Sequence, residues 1–174
     1  MSRIYVISDT HFGDKRILHY ERQDFKTVKN MNDTMIKRWN EAVLDHQDII
    51  YILGDFSSLD NNTNKNILNQ LRGIKRLIIG NHDTHFSIKE WEEQGFEWVS
   101  ENPICLDKVY WLSHDIMFIN SNMPYVNIHG HIHSNIIYTS IKPNQYVNVS
   151  VECINYTPLL FDNVKNRFNA KVVE

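Results

Sequence analysis

Long apolar stretches are missing from this chain of 174 residues: no apolar run approaches the roughly 20 residues that a membrane helix requires. Cysteine is scarce. Cys105 and Cys153 lie far apart in apolar stretches without a CxxC spacing, which excludes a disulfide framework and points to buried free thiols rather than a metal or redox role. Positive charge is not in excess either. Lys and Arg total 18 against 21 Asp and Glu, a formal net charge of -3, so no global basic field draws nucleic acid, although a local patch remains open. The amino terminus leads straight into a strand-like run with no separate apolar signal segment. No internal repeat, low-complexity tract or linker interrupts the chain. What is present is ordinary for a globular protein, 42% hydrophobic and 22% charged. The expectation is a single cytoplasmic domain over residues 1–174, without membrane association and long enough to bury a sizeable core.

The first half alternates strand and helix patterns. Arg3 to Ser8, Asp48 to Leu53 and Lys75 to Ile79 read as buried strands. Between them, Asn30 to Asp45 has helical spacing through Met31, Met35, Ile36, Trp39, Val43 and Leu44, with Asn30 or Asn32 as N-cap. Asn61 to Leu71 reads as a helix with Gly73 at its C-cap, and Ser87 to Gln94 as one with Ser87 and Glu90 in a capping box, ended by Gly95. Asp14 to Val28 reads as a loop. The second half reads as short strands at 104–106, 109–113, 116–119, 125–129, 136–139 and 146–151, the closer ones suggesting antiparallel hairpins, then a last helix from Asp162 to Phe168. The early alternation argues for α/β architecture with a parallel sheet, whose ligands sit beyond the carboxyl ends of the strands.

That position is where the chemistry-bearing residues fall. Nine histidines are present, and four of them lie in Asp9-Thr10-His11, Gly80-Asn81-His82-Asp83 and Gly130-His131-Ile132-His133, with Gly54-Asp55 and a lone His114 between. Asp9 and His11, at i and i+2 of an extended chain, face one side and can share a metal; the alternative is a turn-capping Asp beside a surface His. Gly54 permits a tight turn before Asp55, whose two oxygens can bridge two metals. Asn81 offers a neutral oxygen ligand, while His82 faces away as a general acid oriented by Asp83; the alternative is a helix N-cap with a surface His. Paired histidines after Gly130 point to metal, and His114 supplies a further imidazole. His129 is read as surface; the alternative is a partner that supports the ligands. Asp9, His11, Asp55, Asn81, His114, His131 and His133 suit two divalent ions ~3.5–4 Å apart.

The order DTH, GD, GNHD, a single His and GHIH resembles the calcineurin-like metallophosphoesterase superfamily. DTHFGD, the stretch from Trp39 to Asp55, HGHIH and the tail VNVSVECINYTP resemble its small bacterial and phage-type members. The resemblance implies a double β-sheet sandwich flanked by helices, in four layers α-β-β-α. It implies that Asp9, His11 and His133 bind one metal, that Asn81, His114 and His131 bind a second, that Asp55 bridges them, and that His82 is catalytic. It implies in-line attack on phosphorus by a metal-bound hydroxide. Mn²⁺ is the expected ion, with Fe, Ni²⁺ and Zn²⁺ also compatible with these ligands.

Departures from the family pattern narrow the expected substrate. Related small members often carry His where Asp14 stands, so Asp14 is a substrate-selecting candidate, acting against dianionic groups. Gly54-Asp55 is followed by Phe56-Ser57-Ser58, with no Arg-Gly pair shortly after Asp55, which argues against a phosphoprotein phosphatase or a dinucleoside tetraphosphatase of that branch. No extra domain of the kind carried by break-repair nucleases is expected, which argues against duplex DNA processing. Lys15, Arg16 and Arg22 offer cations for the phosphate, Arg22 foremost; the alternative is a solvated basic loop. Phe12, Tyr20, Phe25 and Phe56 are read as packing rather than as a platform for a nucleobase. The expected activity is hydrolysis of a small phosphorylated substrate such as a nucleotide or short oligonucleotide, diesters ahead of monoesters. A phosphomonoesterase and a non-catalytic metal-binding module on the same fold are the alternatives.

Overall fold

Short β-branched and aromatic runs form the strands their pattern predicts, trimmed at the ends. The computed structural model describes residues 2–135 and 143–172. The elements, in chain order, are β1 (Ile4–Ile7), α1 (Ile17–Tyr20), α2 (Val28–Ala42), β2 (Ile49–Leu53), α3 (Asn61–Gln70), β3 (Ile74–Ile78), α4 (Ile88–Gln94), β4 (Trp98–Ser100), β5 (Ile104–Leu106), β6 (Tyr110–Leu112), β7 (Val126–His129), β8 (Tyr146–Asn148), β9 (Leu159–Leu160) and α5 (Phe161–Val172). Among the described residues, one sheet has the order β4-β3-β2-β1-β9 and a second the order β5-β6-β7-β8. In the first sheet β1, β2, β3 and β4 run parallel, with only β9 antiparallel at its edge.

Successive side chains of a strand point to opposite faces, and here the two faces build two cores. Tyr5, Ile7, Ile50 and Ile52 pack against Met31, Met35, Trp39, Ile67, Leu68 and Trp91 of the helices. Val6, Tyr51, Leu53 and Ile78 face the second sheet, meeting Tyr110, Leu112, Val126 and Ile128, with Phe161 and Val164 of α5. The result is the α/β double β-sheet sandwich flanked by helices. Among the described residues no helix is long and apolar enough to cross a membrane.

Several local expectations are corrected. The N-cap of α2 is Thr27, whose hydroxyl accepts from the Asn30 N–H, while the Asn32 amide oxygen accepts from Gly13 N. Asp60 caps α3, and Leu71, not Gly73, closes it. The capping box of Ser87 and Glu90 and the Gly95 stop are as predicted. Segment 116–119 is not a strand: its Met117 and Ile119 N–H groups are taken by the Asn127 amide oxygen at 2.8 Å and the Tyr146 hydroxyl at 3.0 Å instead of by a ladder. The predicted strand 136–139 lies outside the described residues. Within the second sheet, among the described residues, only β5 and β6 form an antiparallel pair; β6, β7 and β8 are parallel. Cys105 and Cys153 are exposed, not buried, Cys105 because its alternate position on the edge strand β5 turns outward.

The parallel order of the second sheet matters for the site. It sends His114, after β6, and Gly130-His131, after β7, out of the same end. The two sheets are tied at that end, where Ser8 N donates to Val149 O and Val151 N donates to Ser8 O, at 2.9 and 3.1 Å.

Candidate metal centre

Each candidate ligand leaves the carboxyl end of a strand on a tight turn. Asp9 and His11 are not on extended chain as predicted: their φ values are 57° and 45°, and Asp55, His131 and His133 share the left-handed region at 55°, 70° and 49°. Such backbone is uncommon outside glycine, least so for Asp, Asn and His, and costs of order 1–3 kcal/mol per residue. The cost is met by backbone pairing between the first two loops: Asp9 N to Gly54 O at 3.0 Å, His11 N to Asp55 O at 2.9 Å and Phe12 N to Phe56 O at 2.9 Å.

The glycines before the ligands serve close approach. A Cβ on Gly54 would run into the His114 ring, one on Gly80 into the Asp55 carboxylate, and one on Gly130 into the Ser8 hydroxyl and the Asp9 carboxylate. Gly130→Ala is therefore expected to push Asp9 out of place. Divalent-metal affinity should fall by at least the roughly 10–100-fold that loss of an outer-sphere partner costs. Calorimetric titration of the variant with Mn²⁺ checks this, and native-like affinity would refute the close-approach argument.

The turns bring together side chains from both sheets. Donor atoms of Asp9, His11 and His133 lie within 4.8 Å of one another, and so do those of Asp9, Asp55 and His114. Asp55 Oδ2 stands between two imidazoles, 3.5 Å from His11 Nε2 and 3.5 Å from His114 Nε2. Asn81 Oδ1 is 2.9 Å from His114 Nε2 and 3.0 Å from His131 Nδ1, and those two nitrogens are 3.1 Å apart. All seven predicted ligands thus converge.

The donor set fits cations. His11 Nε2 is buried without a hydrogen-bond partner, an arrangement that native interiors rarely leave unexplained. Burial holds the His11 imidazole down at about 4, so at neutral pH it is in the unprotonated form that ligates. Burial also raises the Asp9 carboxyl above its usual range, a desolvation that a neighbouring cation would offset. The residues that would hold one ion are Asp9, His11 and His133; those that would hold a second are Asn81, His114 and His131, with Asp55 between them. Asp115 adds an exposed carboxylate oxygen 3.5 Å from His131 Nδ1.

His82 lies beside these ligands. Its ring meets the His11 ring edge-on, centroids 5.3 Å apart, and its backbone N–H donates to Asp55 Oδ1 at 2.8 Å. It shares a cavity of about 150 Å³ with His11, Asp14, Arg16, Ser57, Ser58 and His85. Asp83 does not orient it. The Asp83 carboxylate is fully buried and accepts the N–H groups of Asp55, Phe56 and Gly80 at 2.7, 2.9 and 2.9 Å, so it fixes the two loops instead. Burial lifts its pKa to about 7.

Arg22 is likewise corrected. Its side chain is 0% exposed and lies behind the ligands, out of a substrate's reach. It donates to the carbonyls of Asp9 and Thr10 and pairs with Glu152 at 2.7 Å. His129 is buried rather than on the surface, and burial lowers its pKa to about 4. Phe12 and Phe56 are packed in the core, Phe25 packs on Tyr156, and Tyr20 alone of the four aromatics is open to solvent.

Glu152 was missed. Its Oε1 is 3.2 Å from His133 Nδ1, which turns the other ring nitrogen toward Asp9 and His11. Burial opposes the Glu152 charge, yet the contacts with His133 and Arg22 outweigh it and hold the carboxyl down at about 2. Burial equally opposes a charged His133, and Glu152 reverses that too, raising its pKa. The available signal was a lone acid in the otherwise uncharged run VNVSVECI. Ser150, in the same run, donates to Asp9 Oδ2 at 2.9 Å.

A two-sheet sandwich with Asp, Asn and His gathered on the loops beyond its strands defines a metallophosphoesterase. The chain belongs to the calcineurin-like phosphoesterase family, whose profile matches residues 2–167. It is 39% identical over 170 residues to an uncharacterized protein of Methanocaldococcus jannaschii, covering 93% of this chain and 89% of that one. It is 36% identical over 86 residues to the gene 66 protein of Mycobacterium phage L5, covering 48% of this chain and 41% of the phage protein. A crystal structure of a protein of unknown function from Aquifex aeolicus superposes with a TM-score of 0.72 at 25% identity, covering 95% of this chain and 99% of that one.

Proposed function

We propose that the protein hydrolyses small phosphate esters, diesters in preference to monoesters, with two divalent cations, Mn²⁺ foremost. The observation that carries the reading is the position of the Asp55 carboxylate, one oxygen 3.5 Å from an imidazole nitrogen of each prospective metal site. Bound there, such ions supply a water made acidic near neutral pH and positive charge for the phosphoryl oxygens.

The chain's own residues do the rest. His11, kept unprotonated by burial, offers its buried Nε2 as a ligand. Asp55 takes the His82 backbone N–H on Oδ1 and so ties the catalytic candidate to the metal bridge. His82, exposed beside the cavity, protonates the departing alkoxide oxygen. Glu152 and Ser150 hold His133 and Asp9 in their ligating orientations. Phe12 and Phe56 are buried and Phe25 packs on Tyr156, so of the four candidate aromatics only Tyr20 is open to meet a base.

Bis-p-nitrophenyl phosphate and p-nitrophenyl phosphate, assayed side by side with added Mn²⁺, test the reading. The expected result is metal-dependent turnover with kcat/KM higher for the diester, abolished by chelation and restored by metal. Faster monoester turnover would make the protein a phosphomonoesterase. Absence of turnover by a protein carrying two metals would make it a binding module.

A further inference from the structure

Arg22 is spent on the interior, so another group must meet the phosphate. The cavity beside His11 and His82 has Arg16 as its one lysine or arginine side chain among the described lining residues. Asp14 holds it there. Asp14 Oδ1 accepts the Arg16 backbone N–H at 2.8 Å and its Nε–H at 3.2 Å, and Oδ2 accepts from Nη2 at 3.1 Å. The carboxylate is nearly covered while the guanidinium stays open, with side-chain exposures of 10% and 72%. Two of the five N–H donors of Arg16 are engaged by Asp14 in this way, which leaves both on Nη1 and one on Nη2 for a ligand.

We propose that Arg16, positioned by Asp14, is the substrate-phosphate contact of the site, and that the pairing selects a monoanionic diester over a dianionic monoester. This rests on the phosphoesterase reading given above. Asp14 offsets most of the Arg16 charge at close range. What remains is directional N–H donation, which a single negative charge satisfies as well as two. An unpaired arginine would reward the second charge of a monoester. Ser57, Ser58 and His85, which line the same cavity, add hydrogen-bonding groups around Arg16. The cavity is therefore suited to a diester whose leaving group is small and polar.

Asp14 and Arg16 predict opposite phenotypes. Asp14→Asn removes the offsetting charge and should shift the diester-to-monoester ratio of kcat/KM toward the monoester by several-fold. Arg16→Ala should raise KM for the diester on the order of tenfold, more than it lowers kcat, with partial rescue by Arg16→Lys. Inorganic phosphate, titrated calorimetrically into the Mn²⁺-loaded protein, should bind more weakly to Arg16→Ala than to the wild type. Because the Arg16 side chain is exposed, its variants decide the matter even if Asp14→Asn proves unstable. Unchanged phosphate affinity and KM in Arg16→Ala would overturn the assignment while the wild type still turned over its substrates. A wild type that hydrolysed neither ester would remove the phosphoesterase reading itself, and this assignment with it.

Discussion

His82→Ala is expected to lower phosphodiester turnover by about 10²–10⁴-fold while leaving divalent-metal content near that of the wild type. The two halves of this expectation come from different atoms of one residue. The His82 ring stands edge-on to His11 beside the cavity, where it can deliver a proton. Its tie to the metal bridge is through the backbone N–H, which donates to Asp55 Oδ1 at 2.8 Å and survives truncation to alanine. Asp55→Ala, by contrast, removes the oxygen set between His11 and His114 and should empty the site. Steady-state kinetics and elemental analysis of the same preparations separate the cases. If His82→Ala retained full activity, the ring would be no general acid. If it lost metal together with activity, the ring would be a structural part of the centre.

The ligands were legible because metal-binding residue types follow directly on buried strands, and the end of a parallel strand is where the fold collects its loops. Asp9, His11, Asp55, Asn81, His114, His131 and His133 stood out as candidates through their joint order rather than singly, and His114 had no case apart from the others. The supporting residues could not. Arg22 and Glu152 are 130 residues apart, and nothing local in either segment announces the other. A basic loop residue beside a phosphate-type motif reads as a substrate contact; only the folded chain reveals that it runs under the Asp9 turn. Asp83 misled in a different way. It is adjacent to His82 in sequence, but its carboxylate turns toward three backbone N–H groups of the neighbouring loops. The second sheet was hard to orient for a related reason. Three-residue strands such as Tyr110–Leu112 look alike whether parallel or antiparallel, and the direction is set by how the connecting loops return. The left-handed turns at Asp9 and His11 were equally invisible, since they are imposed by pairing with the Gly54-Asp55 loop.

The buried ion pair leads to the second large effect. Arg22→Met is expected to destabilise the protein by about 3–5 kcal/mol, the usual consequence of removing one partner of a buried pair. Arg22 is 0% exposed at its side chain and Glu152 7%, so solvent cannot replace the lost partner. The carbonyls of Asp9 and Thr10 lose a donor at the same time. For a chain of this length that loss corresponds to a fall in melting temperature of roughly 10 °C. The site should suffer with the fold, because Glu152 holds His133 at Nδ1 and Arg22 holds the turn that presents Asp9. Adding Glu152→Gln to Arg22→Met removes the stranded carboxylate and should return part of the stability. Metal affinity should stay low, since the ring of His133 loses its charged anchor. Thermal melts with and without Mn²⁺ on the single and double variants form the required cycle. Strictly additive losses would show that Arg22 and Glu152 act independently. Recovery of stability without recovery of metal binding would separate the pair's part in holding the fold from its part in aiming the ligands.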